Sequence, residues 1–190
     1  MLTIVIMSDD DKELNECLTS LWQIAKTPRT ILIIDLGLKQ PKKLPHKIIS
    51  SKWYGKGKVA WLNSAIGCAE SEYILCMDCR CRIEQKELEA MLLMSDNSDI
   101  VSPAIVNRGR FQGMNSDFFL FKKSKSFFPI QNWLISYHYD KFLANIAKVG
   151  NIGAITRFPN ITNYSKKELS REDYRYKRDL FTYENIKKQW

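Results

Sequence analysis

The apolar run Tyr73-Ile74-Leu75-Cys76-Met77, ending on Asp78, limits what this chain can fold into more than any other stretch. A short unbroken apolar run with polar sequence on both sides suits a strand buried on both faces of a parallel sheet, where alternation disappears. Residues 2–7 repeat the pattern and lead into Ser8-Asp9-Asp10-Asp11, and residues 30–34 repeat it again and lead into Asp35. Between these two runs Leu14, Cys17, Leu18, Leu21 and Trp22 recur at three- and four-residue steps. That spacing predicts an amphipathic helix over residues 12–24. Ser8 or one of the following aspartates can cap it. The order β–α–β implies a parallel pair joined by a right-handed crossover. Open sheets of this type bind ligands at the carboxyl ends of their strands, where Asp35 and Asp78 are delivered.

Residues 36–51 read as a lysine-rich loop with one short strand at 47–50. Gly55-Lys56-Gly57-Lys58 opens a helix over residues 59–68, with Ala60, Leu62, Asn63, Ala65, Ile66 and Ala69 toward the sheet. Glycine–lysine loops before helices cradle phosphates, but the Walker spacing and its Ser/Thr are missing, which excludes a P-loop. A helix over 85–94 presents Leu88, Met91 and Leu92, and a strand starts at Ile100. Arg108-Gly109-Arg110 reads as a turn and Phe118-Phe119-Leu120-Phe121 as a short aromatic strand. Residues 130–147 turn helical in their second half, Gly150 and Gly153 bracket a turn, and 155–161 form a last strand.

At 190 residues the chain suits a single domain. No apolar run reaches the roughly 18 residues needed to span a bilayer. Five cysteines and no secretion signal point to a reduced, cytoplasmic protein. A formal net charge of +8 favours a polyanionic neighbour, whether nucleic acid, anionic lipid or nucleotide, over a neutral one. A merely solvated basic surface accounts for the charge equally well. Cys76, Cys79 and Cys81 lack a fourth zinc ligand in suitable spacing, so they read as small buried hydrophobes. The tail motif Tyr174-Arg175-Tyr176-Lys177-Arg178 suits single-stranded nucleic acid, a peripheral contact with an anionic membrane, or a helix packed on its own domain.

Several local patterns, in order, resemble the family-two glycosyltransferases of the GT-A fold. Leu18-Thr19-Ser20-Leu21 is similar to the family's Leu-x-Ser-Leu, and Ile33-Ile34-Asp35-Leu36-Gly37 stands where it reads Val-Asp-Asp-Gly-Ser. Gly57-Lys58 with Asn63-Ser64-Ala65-Ile66 and Ala69 resembles its Gly-Lys … Arg-Asn-x-Gly-Ile … Ala. Glu72-Tyr73-Ile74-Leu75-Cys76-Met77-Asp78 resembles Glu-Tyr-Ile-x-Phe-Leu-Asp. Phe118 to Lys122, Asp140 with Phe142-Leu143, and Gly150 follow in the family's order.

The resemblance covers about residues 2–163. It implies a single α/β GT-A domain, a Rossmann-like mixed sheet flanked by helices on both faces. The nucleotide-binding half would be about residues 1–83 and the acceptor half about 84–163, followed by the basic aromatic helical tail at 164–190. It also implies that Asp35 meets a uracil-type base, that Lys58 and Asn63 lie under the nucleotide, and that Ser8 and Asp78 belong to the donor side. The expected partner is a nucleotide-sugar, UDP-linked.

In place of the family's Asp-x-Asp stands Asp78-Cys79-Arg80, and the late metal-binding His is replaced around Ile161-Thr162-Asn163-Tyr164. Three readings follow. Asp78 holds Mn or Mg alone with the substrate's phosphates. Or Arg80 clamps the diphosphate bidentately in the metal's stead. Or activity is lost and a nucleotide- or nucleic-acid-binding shell remains. For an active enzyme, Asp140 is the candidate base that takes the acceptor hydroxyl's proton, with Asp117 the second candidate. The expected reaction is hexosyl or pentosyl transfer to a hydroxyl. The acceptor would be hydroxymethylated DNA of a virus or a cell-envelope saccharide.

Overall fold

The computed structural model describes residues 1–24, 27, 29–39, 47–50, 58–98, 100–107, 110–114, 117–123 and 152–155. The chain opens with β1 (Leu2–Ser8), α1 (Asp11–Trp22), β2 (Arg29–Asp35), β3 (Lys47–Ser50), α2 (Lys58–Cys68) and β4 (Tyr73–Asp78). It continues with α3 (Gln85–Ser95), β5 (Ile100–Asn107), β6 (Arg110–Met114), β7 (Phe118–Lys122) and β8 (Ile152–Ile155). The described strands form one mixed sheet in the order β3-β2-β1-β4-β7-β5-β6, with β8 added to β5. β3, β2, β1 and β4 are mutually parallel. β7 lies antiparallel to β4, and β5 antiparallel to β7.

Every residue of β1 is buried, as its lack of alternation predicts. Ile4 and Ile6 face a layer closed by Leu14, Cys17, Leu18 and Leu21 of α1 and by Leu88 and Met91 of α3. Val5 and Met7 face the opposite layer, closed by Leu62, Ala65 and Ile66 of α2. Helices therefore cover both faces, as expected. Asp10, not Ser8, caps α1, its Oδ1 accepting from the backbone N–H of Lys12 at 2.8 Å and of Glu13 at 3.1 Å. Among the described residues no helix is long and apolar enough to cross a membrane.

The second half of the chain departs from the sequence expectation in two places. β5 runs on to Asn107 and is followed by β6, whose first residue, Arg110, the pattern assigned to a turn. Pro103 interrupts the strand signal, yet β5 pairs with β7 at Val101, with β8 over residues 100–103 and with β6 over 104–107. Of the turn expected between Gly150 and Gly153, only residues 152 and 153 are described, and they are in a strand. Gly153 lies inside β8, opposite Val101. The parallel partner supplied by β5 satisfies its backbone and overrides glycine's local preference for turns. The rest of the last strand expected at 155–161, the helix at 130–147 and the tail lie outside the described residues.

Candidate functional site

The sheet brings three strand ends together. In register, Ser8 lies opposite Asp35, and Met7 opposite Asp78. β1 is flanked by β2 on one side and by β4 on the other, so the strand order reverses beside it. A crevice at such a switch point is where parallel sheets take their ligands. A cleft lined by Met1, Leu2, Tyr73 and Leu92 opens at the opposite end of β1 and β4. It is remote from these acids.

Asp35 is buried. Its Oδ1 accepts from the N–H of Gly37 at 2.8 Å and of Leu38 at 2.7 Å. This carboxylate-closed turn needs the positive φ of 136° that Gly37 adopts. Oδ1 is thus engaged in shaping the loop, and a ligand would meet Oδ2. Ser8 is buried and its hydroxyl donates to the carbonyl oxygen of Asp10 at 3.0 Å. It shapes the loop after β1.

Asp78 closes a tight turn. Its backbone carbonyl accepts from the Cys81 N–H at 2.9 Å, and its Oδ1 accepts from the Arg80 N–H at 2.9 Å. Arg80 Nη1 reaches the same Oδ1 at 3.3 Å, while Nη2 donates to Asp9 Oδ1 at 2.7 Å. One guanidinium therefore joins the loop after β1 to the end of β4. Burial opposes its charge. The bond to Asp9 and the fields of Asp78 and Asp9 outweigh that, so its pKa is raised. A hard divalent cation seeks several oxygen ligands. Among the described residues no group of three or more His, Cys, Asp or Glu side chains could share one. Both Oδ1 atoms named above already face guanidinium nitrogens. The residues described do not fit such an ion.

Arg82 and Asp117 complete the turn's supports. Arg82 Nη1 donates to the carbonyls of Cys79 at 2.6 Å and Cys81 at 3.0 Å. Its Nη2 pairs with Glu13 at 3.2 Å and Glu16 at 3.4 Å on α1. The carbonyl of Asp117, at the start of β7, accepts from the Asp78 N–H at 2.8 Å. So the structure gathers Ser8, Asp35, Asp78, Arg80 and Asp117 on one edge. Lys58 begins α2, and Asn63 is half-buried five residues further, roughly 7.5 Å along the axis. Asp140 lies outside the described residues. Asp9 and Arg82 were missed by the sequence reading. Glu13 and Glu16 do share a face of α1, three residues apart, but nothing local links them to an arginine 66 residues away.

The cysteines behave as core. Cys17, Cys76, Cys79 and Cys81 are buried free thiols and Cys68 is exposed. Burial pushes Cys79 up to about 11 and Cys17 and Cys81 up to about 12. At pH 8 a thiol reagent is therefore expected to modify Cys68 alone in the native protein and all five cysteines after unfolding. Native modification of Cys79 or Cys81 would contradict the packing. Because these pKa values are raised above the unfolded value of 9.0, the stability they contribute is present below about pH 9 and is lost as pH climbs towards 11 and 12.

No family model matches the sequence, and no curated protein matches it. Solved structures do resemble the fold. S. aureus TarS 1–349 superposes with a TM-score of 0.60 at 17% identity over 83% of this chain. The chain spans 58% of that TarS chain. The TarS 1–349 structure in complex with UDP-GlcNAc superposes with the same TM-score, 0.60, at 16% identity, covering 83% of this chain and 56% of that one. HddC from Yersinia pseudotuberculosis reaches a TM-score of 0.56 at 11% identity, covering 82% of this chain and 90% of its own. The α/β fold thus resembles that of TarS 1–349. Identities this low speak to fold alone.

Proposed function

We propose that this chain is a nucleotide-sugar-dependent glycosyltransferase, similar to family two, that moves a hexosyl or pentosyl group from a UDP-linked donor to a hydroxyl. The observation that carries the reading is the convergence of Asp35 and the Asp78–Arg80 turn at the switch point of a sheet shaped like TarS. TarS itself is known in complex with UDP and with UDP-GlcNAc. Asp35 Oδ2 would accept from the base, and the Arg80 guanidinium would face the diphosphate. Lys58 and Asn63 would lie along the nucleotide.

In the reaction the acceptor oxygen attacks the anomeric carbon. The bond from that carbon to the diphosphate oxygen breaks, and the electron pair leaves with UDP. The hydroxyl proton passes to a carboxylate. Asp140 is the candidate base, and Asp117, whose backbone carbonyl accepts from the Asp78 N–H, is the second candidate. Charge growing on the departing diphosphate needs a fixed cation, a role that suits a guanidinium.

Isothermal titration with UDP and UDP-GlcNAc tests the donor, and absence of binding by either would sink the proposal. For the acceptor, hydroxymethylated DNA is one candidate, consistent with the +8 charge, and a cell-envelope saccharide is the other. Binding of duplex DNA that weakens steeply with salt is expected. Salt-insensitive binding would turn the reading towards a saccharide. The five free cysteines are compatible with a reducing, cytoplasmic setting. A second reading, a nucleotide-binding module without turnover, draws on the Arg80–Asp78 pair, which engages the carboxylate a metal-dependent transferase would need. UDP binding without release of UDP from UDP-GlcNAc would favour it.

A further inference from the structure

The cation at the donor edge is part of the chain. Asp9 reaches it from the loop after β1 and Asp78 from the end of β4, and their Oδ1 atoms contact the two terminal nitrogens of one guanidinium, at 2.7 and 3.3 Å. Asp78 is also aimed independently of that guanidinium, because the same oxygen accepts the Arg80 backbone N–H at 2.9 Å. A side-chain truncation at position 80 would leave that backbone bond in place. It would also leave Asp78, buried at the turn, without its charge partner on Arg80, and a buried carboxylate does not remain uncompensated at low cost. Carboxylate oxygens are the ligands that Mg and Mn prefer.

We propose that Arg80 is a resident cation standing where a divalent metal would otherwise sit. Donor binding at this edge is therefore metal-independent, and removing the guanidinium converts the Asp9–Asp78 pair into a divalent-cation site. The first half rests on the reading of the edge as a diphosphate site; the second does not. Arg80 excludes a dication in two ways. It engages the oxygens that would ligate the ion, and it places like charge beside them. It also brings a planar fork of donors matched to phosphate oxygens, which an ammonium or a hydrated ion lacks.

The test has two arms on the full chain. In the first, Mn2+ uptake is measured without nucleotide by the loss of the free-ion electron paramagnetic resonance signal. Arg80→Ala is expected to bind Mn2+ at least about tenfold more tightly than the wild type, and Arg80→Lys, which keeps the charge, to match the wild type. Adding Asp78→Asn to Arg80→Ala should abolish the gain. Equal Mn2+ affinity of wild type and Arg80→Ala overturns the inference. Thermal melts accompany each protein, and Arg80→Gln serves in the same comparison should the alanine variant fail to fold. In the second arm, UDP is titrated in EDTA and in Mn2+. Wild-type affinity is expected to change by less than about threefold, whereas Arg80→Ala loses about tenfold in EDTA and recovers with Mn2+. A wild type that needs Mn2+ to bind UDP overturns the inference and leaves the proposed function standing. A wild type that binds no UDP in either condition overturns the proposed function, while the nucleotide-free arm still decides whether Arg80 holds the cation position.

Discussion

Reversing the charge at Arg82 is expected to lower the unfolding free energy by about 3 kcal/mol, with loss of UDP binding following from it. Arg82 is 18% exposed and lies between Glu13 and Glu16, so Arg82→Glu would set three carboxylates against one another. The same change removes the donors to the carbonyls of Cys79 and Cys81. Glu16 is half exposed and its pair with Arg82 contributes little. The larger share comes from the two carbonyls and from Glu13. Functionally, Arg82 ties the turn that carries Asp78 and Arg80 to α1. Urea denaturation reads the stability, and Arg82→Met, which keeps the apolar stem, is expected to lose only about half as much. A charge-reversed protein within about 0.5 kcal/mol of wild type would show that the turn holds itself.

Truncating Phe118 to alanine is expected to cost about 3–5 kcal/mol, or roughly 10 °C in melting temperature. Phe118 is fully buried among the α1 and α3 side chains, and its strand neighbour Phe119 fills the opposite layer. It pairs with Met77 in the β4–β7 ladder, one residue from the site. A ring removed there leaves a cavity that two sheet-bound layers cannot close. Leu93→Ala provides the contrast. That side chain is 73% exposed, and its loss is expected to stay within about 0.5 kcal/mol. Should the two variants melt together, the aromatic strand is not the centre of the core.

The first half of the fold was legible from local pattern. Unbroken apolar runs marked β1, β2 and β4, and the three- and four-residue spacing marked α1, whose predicted inward residues Leu14, Cys17, Leu18 and Leu21 are all buried. The short strand expected at 47–50 is β3. Trp22 was the exception. It continues the stripe in sequence but is 70% exposed at the last residue of the helix. The second half was read less well. Pro103 and Gly153 carry strong local signals against strands, and both were outvoted by pairing partners distant in sequence.

The same division runs through the site. Apolar runs that end on acids were enough to place Asp35 and Asp78 at one sheet edge, since a parallel strand can deliver its last residue nowhere else. Composition and order of motifs were enough to raise the substitution of Arg80 as the central question. What Arg80 does could not be read there. Its partner Asp9 is 71 residues away. Arg82's acids are as remote, and Asp117 reaches Asp78 through a backbone hydrogen bond that leaves no mark on either side chain. Periodicity reports which face a residue shows to the core, and it is silent on charged partners chosen across the sheet. Those were settled by the parallel register of β1, β2 and β4, which brings the acids and the arginine within hydrogen-bonding distance.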